Sequence, residues 1–264
     1  MIHAFVNRVG EESIARARGV CLTVAVLWRA LVLALRKDSW PRTVREQIGK
    51  QILFTGYEAM GLTSLLAIAT GVSVVAQGQL WLSRLGQSEM LGTLLIAVIF
   101  RELGPLLVNF LVVARSGTAI VTELATMRVR NEISLLEERG VDPMLYLVMP
   151  RMVGVAVSVL CLTLYFIAIS LITGFLLSLT LETGSRDALA FFDSVMRPIQ
   201  VRDFVSLLTK AILPGLLTGV ICCVEGLMIK GVATEVPQAA TRAVVRSITA
   251  LLLVSAVVSV LTYV

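Results

Sequence analysis

The sequence predicts an all-α polytopic membrane protein: five transmembrane helices preceded by an N-terminal amphipathic helix lying in the membrane interface. Three observations predict it. Of the 264 residues, 57% are hydrophobic and only 16% are charged, with a mean hydropathy of +0.88; a soluble domain of this length carries far more polar surface. Several apolar runs reach the ~20 residues that cross a bilayer as a helix. None of these runs alternates apolar and polar residues, as the strands of a membrane barrel do.

The first element is the run GVCLTVAVLWRALVLAL, residues 19–35, within an N-terminal region 1–50. Arg8, Arg16 and Arg18 precede it, Arg29 lies inside it, and Arg36, Lys37, Arg42, Arg45 and Lys50 follow. If this segment crossed the membrane, one basic cluster would face the wrong side. A helix lying in the cytoplasmic interface puts both clusters among the headgroups. Residues 51–264 then hold five spans, at about 59–80, 91–115, 152–180, 204–229 and 243–264. The third apolar run, beginning at Met152, is too long for one upright helix and too short for two, which predicts a single tilted or protruding helix. The whole chain reads as one membrane domain.

With the N-terminus cytoplasmic, segment 116–151 is inside and carries Arg128, Arg130, Arg139 and Arg151. Loop 230–242 is also inside, with Lys230 and Arg242. Loops 81–90 and 181–203 are outside, and the C-terminus ends outside. The net charge of +5 therefore fits basic cytoplasmic loops and does not call for a nucleic-acid partner. No short apolar region followed by a small-residue cleavage site marks a signal peptide. Cys21, Cys161, Cys222 and Cys223 all lie in apolar runs and read as core or lipid-facing residues, not as a disulfide set. His3 is the only histidine, and no acidic metal cluster appears, so neither a metal nor a cofactor is expected. Gly49-Lys50 lacks the earlier glycine of a P-loop, and no Gly-x-Ser-x-Gly elbow is present. Any energised work must draw on another chain or an ion gradient.

Two segments stand out. The first is FRELGP, Phe100–Pro105, inside the second span. Arg101 lies about ten residues into that span, roughly 15 Å deep and near the bilayer centre, where an ionised side chain costs several kcal/mol. Arg101 and Glu102 point about 100° apart and do not pair within one helix. Lys210 is the best partner for Glu102 on charge, in the same subunit or in a dimer mate. Gly104 and Pro105 predict a local bend, with Pro105 leaving the Arg101 carbonyl without its helical donor. The cluster is either a structural ion network or a polar collar for a ligand headgroup.

The second segment spans residues 123–152. Asn131 is a candidate cap for a short helix that closes at Gly140, with Ile133, Leu135 and Leu136 as its apolar side. It is either an ordinary amphipathic connector or a coupling helix that docks into a groove of a cytoplasmic motor.

Taken in order, Arg101-Glu102-Leu103-Gly104-Pro105, Arg115-Ser116-Gly117-Thr118-Ala119, Glu123, Met127, Glu132-Ile133, Val141-Asp142-Pro143 and Pro150-Arg151 form a series that resembles the MlaE-type permease family, found with Mce-domain proteins in bacterial lipid transport. GVATEVPQAATRAVVRS, residues 231–247, is similar to that family's cytoplasmic turn into its last helix. The resemblance runs from about residue 50 to 264. It implies an inner-membrane homodimer of five-span subunits, two cytoplasmic ABC ATPase subunits, a periplasmic Mce-domain protein, and a phospholipid or related lipid carried in a cavity at the dimer interface. It implies that residues 128–140 are the coupling helix, with Arg130, Glu132, Ile133, Leu136, Gly140 and Asp142 serving the ATPase contact. It also favours a headgroup role for Arg101, Glu102 and Lys210. The chain departs from the pattern in one respect: family members often carry an acidic residue midway along the last helix, where this chain has Ser255. The loop 181–203 holds no sharp family motif. The rival readings are an ion-coupled carrier with Glu102 as proton carrier and a membrane scaffold without transport.

Overall fold

The structure, a computed structural model, describes residues 19, 21–36, 40–85, 90–180 and 195–263. The basic residues Arg8, Arg16, Arg18 and Lys37, and residues 181–194 of the outer loop, lie outside the described residues. Every regular element among the described residues is helical. We number them α1 (Cys21–Leu35), α2 (Arg42–Thr55), α3 (Met60–Arg84), α4 (Gly92–Val129), α5 (Glu132–Glu138), α6 (Met144–Leu179), α7 (Val201–Leu227) and α8 (Val236–Tyr263).

Five continuous helical stretches are long and apolar enough to cross a membrane, α2 and α3 together forming the first. α1 is a shorter apolar helix. The spans run further than hydropathy alone predicts, chiefly at the end of the bundle that carries α5. α4 continues to Val129 instead of ending near residue 115, and α6 starts at Met144 instead of 152. The extension of α4 is built from threonines. Thr118, Thr122 and Thr126 each donate to the carbonyl four residues back, at 2.7–2.8 Å, so polar residues sit on the helix with their hydroxyls already satisfied. α6 is a single helix: its 36 residues are about 54 Å long, well beyond the ~30 Å hydrocarbon core, so it must tilt or protrude.

Helix association rests on small residues, since lipid tails give apolar faces little incentive to leave the bilayer. On α3, Thr63, Ala67, Gly71, Val75 and Gly78 form the buried stripe. It meets α6, where Ser170 Oγ donates to the Ala67 carbonyl at 3.0 Å. A Cβ on Gly71 would stand 2.4 Å from the Ser170 carbonyl oxygen, so only glycine permits this approach. α7 is the central helix: 67% of its apolar window is buried, against 17% for α8. Its Gly219 packs directly on the Met152 backbone of α6, where a Cβ would be 2.8 Å from Met152 Cα.

Candidate functional site

α4 is not α-helical throughout. Ile96–Leu103 and Val113–Gly117 are wound as π-helix, a form that recurs at functional sites. The first of these stretches carries Arg101 and Glu102, and α-helix resumes at Gly104 with Pro105 in its first turn. The expected bend is thus realised as a change of winding. A proline ring clashes with the carbonyl four residues back and gives it no N–H. Here the carbonyl of Arg101 instead accepts from Lys210 Nζ at 2.8 Å.

Lys210 is the centre of the cluster. Its Nζ also donates to Glu102 Oε1 at 2.6 Å, which makes Glu102 and Lys210 an ion pair within one chain. Ser259 of α8 donates its hydroxyl to the same Glu102 oxygen at 2.7 Å. Asn109, buried one turn beyond Pro105, donates to the carbonyls of Pro105 (2.8 Å) and Lys210 (3.2 Å), fastening α4 to α7. Arg101 turns to a different partner. Its Nε lies 3.0 Å from Asp203 Oδ1, and its Nη2 donates to Asp203 Oδ2 at 3.1 Å. Asp203 Oδ2 also accepts from the Gln200 backbone N–H at 2.9 Å, closing a capping box at the start of α7.

Two positive and two negative side chains therefore sit in one neutral cluster with graded exposure. The Asp203 and Lys210 side chains are buried, whereas that of Glu102 is 43% exposed and that of Arg101 26%. The buried members hold the network, and the more exposed pair faces outward between apolar helices. Arg101 thus reaches from α4 to the first turn of α7, where Asp203 lies. Asp203 and Ser259 were not anticipated as members. Asp203 reads as one more charge among those of a loop; the signal that marks it is its place three residues after Gln200. Ser259 lies one turn beyond Ser255, which is buried.

At the opposite end of the bundle the predicted coupling residues come together around α5, which has only seven residues. Ile133 is buried and Leu136 packs against the core, but Leu135 is 53% exposed and does not belong to the packed side. Asn131 occupies the cap position without capping: its φ is +58° and its side chain makes no cap bond. Closure at Gly140 holds. Gly140 has φ +76°; its N–H donates to the Glu137 carbonyl, and the Val141 N–H donates to that of Leu136 at 3.0 Å, the paired bonds of a Schellman motif. Arg130 and Glu132 lie 3.8 Å apart, beside an open groove of about 750 Å³ along α4 lined by Thr122, Thr126 and Met127. Asp142 accepts from Met144 N–H and pairs with Arg29 of α1 at 3.3 Å, so α1 reaches the same end as α5.

Further ion pairs tie this end together. Arg115 pairs with Glu58 at 2.5 Å and Arg151 with Glu123 at 2.9 Å. Buried Glu225 of α7 is shared by Arg242 and Arg246 of α8. The sequence showed these charges singly, with nothing to pair them.

Comparison with known proteins agrees with the ordered series of motifs. A probable ABC transporter permease protein of Rickettsia conorii is 29% identical over 94% of this chain and 93% of its own length. The chloroplast protein trigalactosyldiacylglycerol 1 of Arabidopsis thaliana is 29% identical over 90% of this chain and 67% of its own. The intermembrane phospholipid transport system permease protein MlaE of Haemophilus influenzae is 28% identical over 65% of this chain and 64% of its own. The family described as Permease MlaE matches residues 48–261, a stretch that includes the ion-pair cluster, α5 and most or all of each of the five spans, and the chain belongs to that family.

Proposed function

We propose that this protein is the inner-membrane permease subunit of an ATP-driven phospholipid transporter. It works as a homodimer with two cytoplasmic ATPase subunits and a periplasmic Mce-domain protein, and its headgroup contact is the cluster of Arg101, Glu102 and Lys210. The observation that carries the reading is the partly exposed Arg101–Glu102 pair set among apolar helices and braced from behind by buried Lys210 and Asp203. A lipid needs such a site: a long apolar wall for its tails and a few fixed polar groups for its headgroup. The family membership and the Haemophilus relative's name support the substrate class. Glu102 held by Lys210 and Ser259 is poorly suited to a proton carrier, which counts against the ion-coupled rival.

The test is Glu102→Gln and Arg101→Met, made separately. The expected result is a complex that assembles with its ATPase but fails in lipid transfer and in outer-membrane barrier assays. Normal transport by both variants would remove the cluster from the mechanism, and disassembly of both would make it purely structural.

A further inference from the structure

A second lipid-sized feature lies at the other end of the bundle, apart from the proposed headgroup cluster. A cleft of about 380 Å³ opens between α1, α7 and α8. Val24, Leu217, Ile221, Ala250 and Leu253 supply its apolar walls, and Arg246 stands at one end. Leu217 is eight residues before Glu225 on α7, and Leu253 is seven residues after Arg246 on α8. The walls therefore extend roughly 10–12 Å from the guanidinium into the apolar zone.

The charged end has positive charge to spare. Arg246 Nη1 donates to Glu225, and Arg242 Nε lies 3.3 Å from Glu225 Oε2. Two guanidiniums share one buried carboxylate, leaving a charge of +1 and more N–H donors than one carboxylate can accept. The Arg246 side chain is 40% exposed, so a further anion can reach it. Gly19, two residues before α1, lies against the guanidinium, where a Cβ would stand 3.2 Å from Arg246 Nη2. Glu225 lies two residues from the end of α7, so the basic group sits at headgroup level.

Size decides what fills the cleft. A helix about 10 Å across needs roughly 800 Å³ for 10 Å of length, twice what is open, whereas the volume suits a ligand chain. We propose that this cleft binds one anionic phospholipid of the leaflet at this end, its phosphate on Arg246 and one acyl chain along Leu217, Ile221, Ala250 and Leu253. The inference goes beyond the transport reading and rests on it only for naming that leaflet the inner one.

The experiment is native mass spectrometry of the full-length chain in detergent, titrated with phosphatidylglycerol or phosphatidylcholine. The unmodified protein retains phosphatidylglycerol in preference. Arg246→Gln loses that preference by at least about tenfold, the size of one charge-assisted hydrogen bond, and Arg246→Lys keeps part of it. Ala250→Phe, which fills the cleft and leaves the Arg246–Glu225 pair in place, binds one lipid fewer of either kind. Lipid transfer by Glu102→Gln and Arg101→Met tests the transport reading, and phosphatidylglycerol preference in Arg246→Gln tests this one, so the two can fail separately. If Arg246→Gln does not fold, Ala250→Phe decides alone. Retention of as many phosphatidylglycerol molecules by Ala250→Phe as by the unmodified protein, or equal retention of both lipids by the unmodified protein, overturns the proposal. A change in dimer fraction without a change in lipid would make the cleft a contact between copies, and would overturn it equally.

Discussion

Lys210 supports three groups at once: the Glu102 carboxylate, the Arg101 carbonyl that Pro105 leaves without a helical donor, and, through its own carbonyl, the Asn109 amide. Lys210→Met removes the first two contacts and leaves Glu102 with Ser259 alone. Thermal unfolding in detergent is expected to show a loss of about 2–3 kcal/mol, less than for a fully buried pair because Glu102 is partly exposed. Adding Glu102→Gln should recover part of that loss, since the uncompensated carboxylate disappears; strictly additive effects would mean the pair is not coupled. Asp203→Asn tests the other arm. It keeps the side chain's shape but removes the charge that serves both Arg101 and the Gln200 N–H, and should cost about 1–2 kcal/mol. At this scale the sequence was legible where charge stood alone in an apolar run. Arg101, Glu102 and Lys210 announce themselves because each violates its surroundings. Asp203 does not, since it sits beside Arg202 and close to Arg197 at the edge of a charged loop. Nor does Ser259, because a serine in a membrane helix usually satisfies itself on its own backbone.

The elements divide in the same way. The helices themselves follow from apolar runs, but where they end depends on local hydrogen bonding that hydropathy does not register. The Thr118–Thr122–Thr126 ladder carries α4 beyond the expected limit, and the π winding of Ile96–Leu103 has no signal in composition. α5 shows what the structure adds to an experiment. Leu136 packs against the core, so charging it would disturb the fold as well as any motor contact. Leu135 is exposed and makes the cleaner probe. Glu132→Lys with Leu135→Asp should abolish co-purification of the ATPase subunit while the spans stay inserted; undiminished ATPase binding and turnover would remove α5 from the coupling role. Gly140→Ala should weaken the same contact less, by about 1 kcal/mol of local stability, because alanine must adopt φ +76°. The interfacial reading of α1 gains support from Arg29 pairing with Asp142 beside α5. Single cysteines at positions 8 and 50, in a background free of native cysteines, should label from the same side of the membrane. Labelling from opposite sides would make α1 a sixth span.

For the whole molecule, the open question is what covers its least buried helix. α8 buries little of its surface, and Leu253, Val257, Val260 and Leu261 are all more than half exposed. Lipid alone would satisfy that apolar face. It would not satisfy Glu102, whose partner Ser259 lies on α8 between these residues. In a lone subunit a partly exposed carboxylate would meet hydrocarbon, at a cost of several kcal/mol. A second copy that encloses the cluster in a shared cavity removes that cost and gives the headgroup a chamber closed to the bulk lipid. The expected oligomer is therefore a dimer that brings the two Glu102 sites to one cavity. Mass photometry in nanodiscs should return the mass of two copies. Replacing Val257 and Val260 with arginine should shift it toward one copy and abolish lipid transfer, whereas Glu102→Gln should leave two. A wild-type mass of one copy with full transport would mean that a single subunit shields its own carboxylate, and the enclosed chamber would have to be given up.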